Sequence, residues 1–164
     1  GGGLRIKDVT AGGLERMRIL SSGGITFNGD TSSSNALDDY ETGTWTPALS
    51  GGTAGYSIQS GKYTKVGNIV RLRCSIKLNS WTGTGNVSVT GLPFTSIASS
   101  YDHDWGTAIM TNKPNTKTWT AGADGSSGIF FRQADASQSD TPLAHTDIDS
   151  DTAIMFTIVY QTSQ

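Results

Sequence analysis

Residues 101–106, Tyr-Asp-His-Asp-Trp-Gly, gather an imidazole, two carboxylates, a phenol and an indole into one short stretch. An aspartate beside a histidine can orient the imidazole for proton transfer, but that chemistry needs an activated nucleophile. No G-x-S-x-G or comparable motif marks one. Four readings of Tyr101, Asp102, His103, Asp104 and Trp105 stay open: metal ligation, contact with a sugar, catalysis, or a plain polar loop tip between two strands. Two further tryptophans stand among small polar residues, Trp81 in NSWTGTG and Trp119 in TKTWTAG. A flat ring flanked by Asp, Asn or Thr suits stacking on a sugar face, with hydrogen bonds to its hydroxyls. The competing account is that strand positions bury all three indoles as packing.

A second acidic stretch, HTDIDSDT at 145–152, sets Asp147, Asp149 and Asp151 at alternate positions. A helix-loop-helix calcium loop begins this way, but it needs glycine at its sixth place and glutamate at its twelfth. Those places hold Thr152 and Ile158, so the motif is absent. In an extended segment the three carboxylates would share one face and form a weak cation site; the plainer account is solvated surface that discourages self-pairing of the next strand. Gly83-Thr84-Gly85 lacks the lysine and the strand-to-helix context of a phosphate loop and reads as a turn. Glycoside cleavage needs two carboxylates facing each other across a cleft, and nothing in the sequence pairs two. Neither a cofactor nor an enzymatic activity is expected.

The elements that must carry these groups are strands. Of 164 residues only 16% are charged and 35% hydrophobic, and 21 are glycine. That balance favours short strands and many turns over helices, and no helix of three turns is legible. A net charge of -2 leaves no electrostatic footprint for nucleic acid. No apolar run approaches a membrane span, and a single cysteine excludes an internal disulfide framework. Gly1-Gly2-Gly3 reads as a cloning scar and is set aside.

NIVRLRCSIKLN is the clearest strand: Val70, Leu72, Cys74, Ile76 and Leu78 alternate with Arg71, Arg73, Ser75 and Lys77. A one-residue slip would turn the cations into the core, so the register is set, and Cys74 is inert filling. GKYTKVG reads as its hairpin partner. GNVSVTGLPF supplies Val87 and Val89, then a Gly-Leu-Pro stop. GTAIMTN, KTWTAGA, SGIFFRQ and TAIMFTIVYQ supply four more strands. The last is apolar on both faces, so it is central in its sheet or its second face meets another subunit. The expected head, residues 44–164, is an antiparallel β-sandwich of jelly-roll type. Before it, residues 1–43 hold three small alternating fragments, Leu4/Ile6, Met17/Ile19 and Ile25/Phe27, each too short to bury a face alone. The reading preferred over a floppy linker is that copies of the chain cover one another there, through closed symmetry.

Four stretches, ERMRILSSGGITFNGDT, ALDDYETGTWTP, GKYTKVGNIV and GTGNVSVTGLPFTS, in this order and spacing over residues 14–97, resemble the distal regions of tailed-bacteriophage tail fibres and tailspikes. The resemblance implies an all-β homotrimer in the virion, with an interwound shaft ending at a neck and a compact head beyond it. It implies recognition of a bacterial surface glycan, lipopolysaccharide or outer-membrane protein, without nucleic acid or membrane insertion. It places Ile25, Phe27, Leu37, Tyr40 and Trp45 at neck and trimer contacts, with Gly43 letting the chain turn. Residues beyond Ser99, where receptor specificity usually varies in such fibres, lie outside it. The alternative it allows is a C-terminal trimerisation domain whose receptor-binding or depolymerase activity lies upstream.

Overall fold

The computed structural model describes residues 3–99, 102–114, 117–123, 125, 128–133 and 141–163. Among the described residues it is all-β, with twelve strands and two 3-10 turns of three residues each, Ser33–Asn35 and His145–Asp147. Contacts divide the chain into two units, Gly1–Glu41 with Lys65–Gly67, and Thr42–Thr64 with Asn68–Gln164.

The first unit holds a three-stranded antiparallel sheet of β1 (Leu4–Asp8), β2 (Leu14–Ile19) and β3 (Ile25–Phe27), in that order. Its fragments pair with one another inside a single chain, which the sequence pattern did not indicate. Polar caps hold the sheet. Asp8 accepts from the amides of Thr10 and Ala11 at the β1–β2 turn and pairs with Arg16, while Glu15 grips Arg18 through both carboxylate oxygens. Nearby, Lys65 is buried and paired with Asp39.

The register makes this sheet two-faced. Leu4–Ile19–Ile25 form one cross-strand row and Ile6–Met17–Phe27 the next, on the same face. Arg5, Arg18 and Thr26 occupy the opposite face. A three-stranded layer has no second layer of its own to bury an apolar face, and Leu4 stays 65% exposed and Phe27 54%. Leu37, bridged to Ile25, and Tyr40 are exposed as well.

The second unit is built on one nine-stranded sheet in the order β4-β6-β7-β12-β9-β10-β11-β8-β5. The strands are β4 (Tyr40–Trp45), β5 (Ala48–Leu49), β6 (Gly52–Val66), β7 (Ile69–Gly83), β8 (Ser88–Thr90), β9 (Asp104–Thr111), β10 (Trp119–Ala123), β11 (Gly128–Gln133) and β12 (Ala153–Gln161). In place of the two separate layers expected of a sandwich, a single ladder curls over its own buried face. The two edge strands, β4 and β5, are joined by only Thr46 and Pro47, so the ladder has to bring its opposite edges together.

Alternation decides what enters that core. Val70, Leu72, Cys74, Ile76 and Leu78 of β7 are all buried, as are Ile154, Phe156, Ile158 and Tyr160 of β12, its neighbour residue for residue. At roughly 1.5–3 kcal/mol per buried aliphatic side chain, this pair alone supplies a large share of the hydrophobic stabilisation. β12 is central, between β7 and β9, and its other face, with Met155 and Val159, is exposed. Burial pushes the Cys74 thiol up to about 12, and the Tyr160 phenol, which donates to the Phe94 carbonyl, also to about 12.

Two neck residues behave differently from expectation. Trp45 is buried inside its own chain, its indole N–H donating to the Arg73 carbonyl at 3.2 Å, so it seats the first head strand and is not available to a neighbouring copy. Gly43 lies within β4 and makes no turn. A Cβ there would stand 2.6 Å from the Tyr63 ring, so glycine is needed for close packing.

Candidate functional site

The antiparallel run β9–β10–β11 turns alternate residues inward. Ala108, Met110, Trp119, Ala121, Ala123, Ile129 and Phe131 are buried. The intervening residues face outward, and one row of them reads Trp105–Gly122–Phe130 across the three strands. Gly122 carries no side chain, so the rings on either side close over it. Trp105 and Phe130 meet edge to face with centroids 5.4 Å apart. His103 joins them at 5.6 Å from Trp105 and 5.2 Å from Phe130, again edge to face. Such pairs are the favoured aromatic geometry and fix the rings relative to one another. The Arg132 guanidinium lies over Phe130 at 5.3 Å, a cation–π contact. The cluster is held yet accessible, with Trp105 50% exposed.

The predicted residues therefore separate. His103 and Trp105 come together on the outer surface. Asp102 is exposed and bridges to Ser99 through two backbone hydrogen bonds, while Asp104 accepts from the Gln161 amide at 3.2 Å and ties the start of β9 to the end of β12. Tyr101 lies outside the described residues. Trp119 is 3% exposed in the core, because it falls on the inward parity of β10; it cannot stack on a ligand there. Trp81 packs against the core and donates its indole N–H to the His145 carbonyl at 3.2 Å. Its ring fills the space beside Gly52 and Gly83, so it too is a packing residue.

Asp147, Asp149 and Asp151 do not share a face. The chain is not extended there: the 3-10 turn carries Asp147 inward, where it accepts from Lys117 at 2.9 Å and from the Ala144 amide at 3.0 Å. Asp149 and Asp151 are exposed. Among the described residues, no group of three metal-ligating side chains converges.

Phe130, Gly122 and Arg132 were not singled out from the sequence. The signal was present in SGIFFRQ, where burying Ile129 and Phe131 obliges Phe130 and Arg132 to face out. A glycine inside a strand, as in WTAGA, likewise marks a place where another group approaches closely.

Chemically, the cluster offers flat apolar ring surface, an imidazole and a guanidinium on a rigid sheet, and nothing in it resembles an activated nucleophile. A solved structure has a similar architecture. The Dettilon tailspike protein superimposes with a TM-score of 0.62 over 76% of this chain, at 15% sequence identity. The chain shares its fold with part of a phage tailspike. It spans 24% of that tailspike's length. No protein-family model and no curated protein sequence matches the chain.

Proposed function

We propose that this chain is the distal part of a phage tail fibre or tailspike, a non-enzymatic homotrimer in the virion. It attaches the particle to a glycan, such as lipopolysaccharide, on the bacterial surface. The observation that carries the reading is the outward-facing Trp105–Phe130–His103 cluster, with Trp105 exposed, on a tailspike-like fold. Rings fixed edge to face on a sheet lose little conformational freedom when a sugar stacks on them, so even a small contact keeps most of its binding energy. Three such sites on one axis, repeated over several fibres, convert weak contacts into firm attachment.

The apolar rows of the amino-terminal sheet supply the trimer contacts, through Ile25, Phe27, Leu37 and Tyr40. They also favour a second reading, a domain that only trimerises, with recognition residing elsewhere in a longer protein. A glycan array separates the two. Wild-type protein is expected to bind a restricted set of bacterial glycans, and a Trp105→Ala, His103→Ala variant to lose them while keeping its oligomeric mass. A stable oligomer that binds no glycan in either form supports the trimerisation reading.

A further inference from the structure

The outward rows of the nine-stranded sheet extend beyond the aromatic cluster. Arg73, Thr157, Thr107, Thr120 and Arg132 are successive cross-strand partners from β7 through β12, β9 and β10 to β11. Four strand spacings of about 4.8 Å make the path along the sheet between the two arginine backbones on the order of 19 Å. Three threonines thus stand between the two arginines along the row, with the Thr120 hydroxyl donating to the Arg132 carbonyl at 3.3 Å and the Arg132 guanidinium lying over Phe130. One border of this row is Trp105–Gly122–Phe130, and the other is Ser75–Met155–Ile109. A depression of about 340 Å³ lies along its β7 half, lined by Arg73, Ser75, Thr107, Ile109, Met155 and Thr157. An adjoining one adds Lys62 and Ser60.

Charge is segregated on this face. The outward described positions of β7, β12, β9, β10 and β11 carry Arg71, Arg73, Lys77 and Arg132 and no carboxylate. The chain as a whole has more acids than bases, 14 against 12. A surface with this balance attracts anions. It opposes a second copy of itself, because a self-complementary contact would bring like charges together.

We infer that this row is a track for a linear acidic polysaccharide. Thr157 and Thr107 meet sugar hydroxyls, the apolar borders take the ring faces, and Arg73, with Arg71 beside it on the same face of β7, pairs carboxylates, for which the guanidinium fork is the matching shape. This rests on the glycan reading and adds the ligand's charge to it.

The test is calorimetric titration with oligogalacturonate and with its methyl ester, a neutral ligand of nearly the same shape. The acid is expected to bind about tenfold or more tighter than the ester, with the advantage shrinking as salt rises. An Arg71→Gln, Arg73→Gln variant, checked for an unchanged melting temperature, should bind acid and ester alike. Equal binding of the two by the wild type, or an acid preference that survives in the variant, overturns the track and leaves glycan recognition standing. Failure to bind either, with neutral glycans captured through Trp105 on the array, does the same. Failure to bind any glycan overturns both readings. Slowed hydrogen exchange across Met155 and Ile109 on self-association, relieved by Met155→Asp, would make the face an interface between copies and overturn the track.

Discussion

The ring of Phe130 occupies the space where Gly122 would carry a Cβ: that atom would stand 2.3 Å from Phe130 Cζ. The glycine is therefore what allows the ring to lie across β10 and reach Trp105. The three atoms nearest to it all belong to the Phe130 ring, the far end of a side chain that can rotate. Gly122→Ala should accordingly change stability by less than about 1.5 kcal/mol, the scale of an off-rotamer side chain, yet turn Phe130 out of the cluster. Loss of ring-current shifts at the Trp105 indole, with glycan binding reduced to the level of Phe130→Ala, is the expected result. A variant that binds as well as wild type would detach Phe130 from the site.

The apolar rows of the amino-terminal sheet give a prediction about assembly. Ile6 and Phe27 flank Met17 in one row, and each large apolar side chain buried between copies contributes roughly 1.5–3 kcal/mol. Wild-type protein should sediment at about three times the 17.2 kDa chain mass. Ile6→Asp with Phe27→Asp should dissociate it and leave the β signal of the nine-stranded sheet in place. A wild-type monomer at micromolar concentration contradicts this.

Acid should loosen the same sheet first. Hydrogen bonds from Thr10 and Arg16 hold Asp8 below the usual carboxylate range, Arg18 does so for Glu15, and the Ser32 amide with Asn35 for Asp30. A carboxylate whose folded pKa is depressed contributes stability that is fully present above its unfolded pKa and is lost as pH falls through the folded one. The loss should therefore begin below about pH 4–5, near the unfolded values, and deepen further down. Amide resonances of β1–β3 are expected to broaden or shift before those of β7 and β12. The reverse order would show that these contacts do not hold the sheet.

Cys74 should be chemically silent in the native protein. Its thiol is buried and pushed up to about 12 by burial, and the thiolate is the reactive form. Ellman's reagent at pH 8 should report almost no thiol until denaturant is added, and then one per chain. Rapid native labelling would mean that the β7 and β12 faces open readily.

Much of the head was legible from alternation alone. NIVRLRCSIKLN and TAIMFTIVYQ declared their inward residues because a period of two leaves little choice once one face is apolar, and the structure pairs the two stretches directly. Closure was not legible. Whether strands form one curled ladder or two layers depends on edge pairing, such as the two-residue β5 with β8, that no local pattern encodes. Tryptophans among small polar residues misled for a related reason. Trp119 and Trp81 look like loop residues by their neighbours, but parity in β10 and the glycines at 52 and 83 place both rings against the core. Of the aspartates at 147, 149 and 151, the first is drawn to Lys117, a partner 30 residues away in sequence.

Site-resolved titration of the four tryptophans addresses the central claim, that the outer aromatic cluster is where the sugar docks. With fluorotryptophan at positions 45, 81, 105 and 119, addition of an array-selected glycan should move the Trp105 fluorine resonance and leave the three core-packed indoles fixed. A stationary Trp105 resonance at saturating glycan, or movement confined to Trp45, Trp81 or Trp119, would contradict it.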